Sequence, residues 1–252
     1  AVSAPLRGFG KSAGAKRPKV YFTSDISPEG LLAAYRALGF SAKGKVGVKI
    51  HSGEPGGHNF LQPDFIKPVV DYLHGTLVEC NTAYEGRRNT TEKHLKAIEE
   101  HGFTKIAPVD IMDSEGELVL EIPDGLQIKK NFVGSHLKNY DSLVVLSHFK
   151  GHQMGGFGGA LKNISIGIAS SHGKAYIHGA GDPSRLWDCE QNKFLESMAD
   201  ACKSIVEYRK GAIAYVNVMK NLSIDCDCNN HPAAPEMNPR LSRPHRARLR
   251  LR

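Results

Sequence analysis

The chain has 252 residues, is 40% hydrophobic and carries a formal net charge of +7. That length and apolar fraction suffice for one sizeable core, in one or two lobes. No run of eighteen apolar residues occurs, which excludes a helical membrane span of the usual kind.

The charge is unevenly spread. Residues 239–252 (PRLSRPHRARLRLR) contain six Arg and no acid, and removing them lowers the charge to +1. Residues 1–18 hold Arg7, Lys11, Lys16 and Arg17, again with no acid, which leaves −3 for residues 19–238. A mildly acidic body with two basic ends does not support a nucleic-acid groove in the fold. We therefore expect a disordered arm over 1–18, a single α/β domain over 19–238 and a basic tail over 239–252. The opening AVSAPLRGFGKSAGAKRPK has no apolar centre of the kind a signal peptide needs. Five Cys, an odd number, do not suggest a disulfide framework, so reduced thiols and a cytoplasmic location are expected.

Lys19–Thr23 (KVYFT) reads as a first strand. Ser27 and Pro28 form an N-cap and first-turn pair for a helix to about Leu38, closed by Gly39. Lys45–Ile50 (KVGVKI) is a second strand. Phe65, Ile66, Val69, Val70 and Leu73 recur at helical spacing. Thr76–Cys80 (TLVEC) is a third strand, and Asn89 with Glu92 resembles a capping box for a helix to about Gly102. The runs IAPVDIM and ELVLEI over residues 106–128 suggest a small hairpin-like insertion. A buried strand then begins at Ser142. Residues 169–190 are polar and loop-rich. Phe194, Leu195, Met198, Ala201, Cys202, Ile205 and Val206 mark an amphipathic helix, with Cys202 on its apolar side. Ile213–Val218 is the last strand. The fold class expected from this alternation is α/β, a mostly parallel sheet flanked by helices with a small β-hairpin-like insertion.

In such sheets ligands bind beyond the carboxyl ends of the strands. Those ends carry Ser24 and Asp25; Lys49, His51 and Glu54; Glu79 and Asn81; His148, Lys150 and His152; Lys220 and Asn221. After the strand SLVVLSH comes a run with Gly155, Gly156, Gly158 and Gly159, then Lys162 and Asn163. The run is neither a P-loop, because Lys162 follows Leu161 rather than Gly and no Ser or Thr comes after it, nor a dinucleotide fingerprint, because after Gly156 and Gly158 the sixth position is Leu161. Its backbone amides would cradle an anion, with Lys162 adding charge; a tight turn needing unusual φ angles is the alternative.

His51 and His58 flank the loop that holds Glu54, and His148 and His152 flank Lys150. Either pair would serve as acid and base near neutral pH or as metal ligands. Asp225-Cys226-Asp227-Cys228 with His231 is a soft-ligand group suited to zinc or iron, or else an unligated reduced pair.

The segments KIHSGEPGGHNFLQP, NTAYEGRRNTTEKHLKAIEEHGF, FKGHQMGGFGGALKNISIGIASSHGK and AYVNVMKNLSIDCDC resemble the family catalogued as domain of unknown function 362, over most of residues 45–237. Many members carry a ferredoxin-like insertion with two four-iron clusters, so the resemblance implies an iron–sulfur association. Here only Cys189 lies between His178 and Phe194, and no C-x-x-C-x-x-C run occurs. The chain is similar to a short form without that module. In similar sequences the segment after the paired cysteines continues into a strand and helix, where this chain has its arginine-rich end.

The leading expectation is a metal- or redox-linked enzyme acting on a small anionic carboxylate or phosphate. His51, His148 or His152 would act as acid, base or ligand, Lys150 would hold the anion, and Glu54 or Glu79 would orient it or act as base. Lys49, Asn81, the four glycines, Lys162 and Asn163 would complete the anion site. A divalent metal or iron is the expected cofactor. The alternative is a non-catalytic metal or electron-transfer accessory protein using Cys226, Cys228 and His231, with a ferredoxin-like redox partner.

Overall fold

Strands buried on both faces read as continuous apolar runs, and two segments of this chain do. In the computed structural model, which describes residues 19–223 and Cys226, β1 (Val46–Lys49) and β6 (Ser142–His148) are buried at every position. They lie side by side and parallel, with Val48 opposite Val144. β2 (Thr76–Glu79) pairs with β1 on its other side, β3 (Val109–Ile111) with β2, and β9 (Ile213–Val218) with β6. The result is a five-stranded, wholly parallel sheet in the order β3-β2-β1-β6-β9, the α/β arrangement that the alternation of apolar runs implies.

Period-two alternation sorts the side chains to the two faces. Val144 and Leu146 of β6 meet α1 (Pro28–Ala37), α2 (Pro63–Leu73) and Ile98 of α3 (Thr91–Glu100). Leu143 and Val145 meet Ile164 of α4 (Ala160–Ser165) and Ile205 of α6 (Gln191–Arg209). A third cluster joins Ile177 of α5 (Ser171–His178) to Phe194, Met198 and Ala201 of α6. No helix among the described residues is long and apolar enough to cross a membrane.

Several local expectations are corrected. Lys19–Thr23 is not a strand: Val20 and Phe22 are 92% and 82% exposed, so nothing pairs with or covers the run. Thr90, not Asn89, caps α3, its hydroxyl accepting from the Lys93 amide at 3.4 Å. Asn89 instead turns its side chain to Glu85 and Lys93. The hairpin is built from β4 (Glu117–Glu121) and β5 (Lys130–Gly134), while the first of the two runs thought to form it supplies β3 of the main sheet.

Residues 169–190 contain α5, which the eye passes over because SHGKAYIH has little apolar periodicity. Ser170 caps it, accepting from the Gly173 amide at 2.9 Å. Gly173 is there for space: a Cβ would stand 1.9 Å from the Phe132 carbonyl oxygen of β5. The expected arm over 1–18 and tail over 239–252 lie outside the described residues.

The turn entering β5 is tied to α6 by one carboxylate. Buried Asp200 accepts from the amides of Leu126, Gln127 and Ile128 at 2.9, 2.7 and 3.0 Å. Truncation would strand these amides, so Asp200→Ala is expected to destabilise by about 2 kcal/mol, read as a lower urea midpoint. An unchanged midpoint would show that water replaces the carboxylate.

Candidate functional site

From β1 the chain runs outward through β2 to β3, then crosses back to place β6 on the opposite side of β1. The junction of β1 and β6 is therefore the topological switch point, where an open parallel sheet leaves a crevice at its carboxyl ends. A cleft of about 530 Å³ lies there. It is lined by Lys49 at the end of β1 and His51 just beyond it, Glu79 and Cys80 at the end of β2, and Ser147 and His148 of β6.

Its floor is a buried ion pair. Lys49 Nζ donates to Glu79 Oε2 at 2.7 Å and to Asn163 Oδ1 at 2.9 Å, and also to the Ile50 carbonyl. The second carboxylate oxygen, Oε1, accepts from the Ser52 amide at 2.9 Å and lies 3.9 Å from His51 Nδ1. Burial alone would raise the Glu79 pKa, but the charge of Lys49, joined by His94, His51 and Arg88, outweighs it and holds Glu79 ionised well below the ordinary carboxylate range. Gly167 lets α4 approach this pair: a Cβ there would lie 2.9 Å from Lys49 Cε and 2.2 Å from the Asn163 carbonyl oxygen.

Glu54 forms a second pair, with Arg88, and also accepts from the Tyr84 hydroxyl at 2.7 Å. Burial pushes its pKa up and the guanidinium pulls it down further, to about 2. Neither carboxylate has the raised pKa of a general acid. Both act as fixed anions.

The histidines lie on the other side of neutrality. Burial, reinforced by neighbouring cations, lowers His51 well below its usual value and His152 to about 3. Burial likewise takes His148 to about 4, against the opposing pull of the Lys220 carbonyl. His148 Nε2 lies 2.5 Å from that carbonyl oxygen, so it carries the proton of the neutral ring and Nδ1 does not. His152 is the reverse: its Nδ1 accepts from the Gly155 amide at 2.9 Å, which places the proton on Nε2. Backbone contacts thus give two nearby imidazoles opposite tautomers.

The glycine run differs from the expected cradle. β7 (Lys150–His152) and β8 (Gly156–Gly158) form a small antiparallel hairpin, and Gly156 sits at its turn with φ 73°. The Gly155 amide goes to His152, and the Ala160 amide at the start of α4 goes to Asn217 Oδ1 at 2.9 Å. Gly155, Gly156 and Gly158 are turn and ladder residues of the hairpin and Gly159 is the N-cap of α4, while the side chains of Lys150 and Lys162 furnish the charge of this wall. Gly158 and Gly159 line the cleft. Asn81 sits behind it instead, 3.3 Å from Nδ1 of buried His94, whose Nε2 meets Ser52 Oγ at 3.3 Å.

Residues far apart in the chain therefore converge. Lys49, His51, Glu54, Glu79, His148, Lys150, His152, Lys162 and Asn163 share one cleft. Sequence reasoning missed Tyr84, Arg88, Lys174, His178 and Trp187, which also line it. The signal available for the first two was position: NTAYEGRR follows directly on the carboxyl end of β2. Lys174 is buried on α5, where burial lowers its pKa and its Nζ donates to the Ala169 carbonyl at 2.6 Å.

Cys226 stands in the cleft wall, where its Sγ accepts from Lys150 Nζ at 3.3 Å. Cys228 and His231, expected to join it around a metal, lie outside the described residues. A four-iron cluster needs four thiolates, or near equivalents. Burial pushes Cys80 and Cys202 up to about 12 and 11, which disfavours the thiolate form that ligates iron. Among the described residues no group of three or more His, Cys, Asp or Glu is placed to hold a metal. The described donors do not fit such a cluster.

The model of the family described as "Domain of unknown function (DUF362)" matches residues 46–242. No curated protein matches the chain. Among solved structures it is similar to the lactate racemase apoprotein from Thermoanaerobacterium thermosaccharolyticum, with TM-score 0.48 and 18% identity over 77% of this chain and 49% of that one. It is also similar to a structural-genomics protein from Thermotoga maritima, with TM-score 0.47 and 15% identity over 77% of this chain and 50% of that one. The chain spans about half the length of each.

Proposed function

The chain belongs to the domain of unknown function 362 family, and we propose that its cleft is an enzyme site that binds a small carboxylate or phosphate and moves a proton on it. One observation carries this reading. Among the described residues, five cations line the cleft (Lys49, Arg88, Lys150, Lys162 and Lys174) against two carboxylates, Glu54 and Glu79, each already held by a cation of its own. The surplus positive charge, set between low-dielectric walls, favours an anionic guest.

The histidines supply the proton chemistry. With the tautomers described, His148 Nδ1 is the acceptor and His152 Nε2–H the donor, and both rings are neutral at pH 7. An acid and a base of opposite polarity on one wall suit proton abstraction beside a carboxylate or phosphate, with the lysines stabilising the charge that develops. Glu79 and Asn163 act through Lys49, fixing its ammonium group at the floor.

Lys150→Met combined with Lys162→Met tests the binding half. Calorimetry with inorganic phosphate and with acetate should show binding to the parent chain that weakens as salt is raised. The double variant should lose about a hundredfold in affinity, the order expected for two charge-assisted contacts. Equal affinity in parent and variant would remove the anion assignment. His148→Ala and His152→Ala address the proton step: neither should abolish anion binding.

A further inference from the structure

A bare carboxylate or phosphate fills only a corner of a cleft of about 530 Å³. Volumes of roughly 300–1,000 Å³ hold ligands with a substantial apolar body. The cleft offers such a body a matching surface. Beside its lysines it is lined by Met154, Ile166, Leu186, Tyr84 and Trp187. Trp187 is the sole tryptophan of the chain and is 68% exposed, although indoles are usually buried over most of their surface. Its ring centroid lies 5.9 Å from that of Tyr84, with the planes tilted by 46°.

This aromatic pair is held to the polar machinery. The Tyr84 hydroxyl donates to Glu54 Oε1, the same oxygen that receives Arg88. The Tyr84 ring therefore has a fixed position relative to the charged part of the cleft. Trp187 follows a short 3-10 turn, Pro183–Arg185, capped by Asp182, whose carboxylate accepts from the Ser184 amide at 3.0 Å. A rigid aromatic face on an anchored segment costs little ordering entropy when a planar ligand settles on it.

Building on the anion reading above, we propose that the ligand is an aromatic or heteroaromatic acid. Its acid group would meet Lys150 and Lys162, and its planar body would stack on Tyr84 and Trp187. Nothing in the proton chemistry requires the ring; the ring is what the apolar half of the cleft selects.

The single tryptophan makes the test direct. The full chain is titrated with acetate, benzoate, 2-naphthoate and benzamide, following Trp187 emission and, independently, calorimetric heat. Benzoate and 2-naphthoate are expected to perturb the emission and to bind about tenfold or more tighter than acetate, the return of one aromatic contact. Trp187→Ala should bring benzoate to the affinity of acetate, whereas Trp187→Phe should keep most of the preference. Benzoate binding no tighter than acetate, or a preference that persists in Trp187→Ala, would overturn the inference and leave the anion site standing. Benzamide binding as tightly as benzoate would have the opposite meaning, sinking the anion reading and with it the assignment of an acid. No binding of any of the four would overturn both.

Discussion

Lys49→Met is expected to cost the fold about 3–5 kcal/mol, because it leaves a buried carboxylate without its counter-charge. The side chains of Lys49 and Glu79 are 1% and 5% exposed, so water cannot take over the role of the ammonium group. Glu79 would keep the Ser52 amide and lose the ammonium group bonded to its other oxygen. Against a typical total stability of about 5–15 kcal/mol, this is a fifth or more of the whole. Lys49→Met with Glu79→Met should recover most of the loss, since neither charge then remains to be desolvated. Urea unfolding of the two single variants and the double variant closes the cycle. A Lys49→Met variant as stable as the parent would mean that the pair is not the clamp we describe.

The second large effect is on acid. His94 and His148 are 0% and 5% exposed, and burial first of all lowers them to about 3 and 4. Their folded pKa values lie below the unfolded value of 6.5, so the unfolded chain takes up protons that the folded chain refuses. Stability is fully present above pH 6.5 and falls as the pH drops towards the folded values, by about 1.4 kcal/mol per pH unit for each ring. The two together remove about 5 kcal/mol between pH 6.5 and 4.5. His152 and His178, lowered by burial to about 3 and 4, add to the loss with the same sign.

His136 works the other way. Its partners Asp110 and Glu115 raise it, so its contribution is full below the unfolded pKa and disappears as pH rises through the folded one. It offsets only part of the loss. Glu79, held low, adds its own loss only once the pH falls below about 4.5. Urea midpoints measured from pH 7.5 to pH 4.5 should fall steeply below 6.5, and His94→Gln should flatten the slope. A midpoint independent of pH across that range would contradict the buried, neutral histidines.

Those histidines also show where sequence reading stops. His148 and His152 were legible because strand β6 is a plain apolar run and they follow it directly. His94 was not, since it faces inward from α3 in a segment whose charged residues suggest a solvated helix. Arg88 and Tyr84 belong to the site only because the chain after β2 folds back over the end of β1, a contact between residues thirty or more apart that no local pattern carries. The large elements were legible for the opposite reason. VGVK, TLVE and SLVVLSH can be buried only as sheet, and the Ser27–Pro28 pair announces α1. β3 has three residues and β5 is polar at two of its five, so both take their identity from neighbours. The glycine run allowed both an anion cradle and a tight turn, and at Gly156 the positive φ serves the turn of the β7–β8 hairpin.

The junction of β1 and β6 has a last consequence. The ion pair of the floor comes from residues before position 80, whereas Asn163, which completes the coordination of Lys49, lies 114 positions after it. During synthesis on a ribosome, Lys49 and Glu79 emerge well before the asparagine that completes their coordination. A nascent chain halted before α4 already carries His148 and His152, yet it lacks the asparagine that fixes the ammonium group at the floor, so the cleft is complete only once α4 has been made.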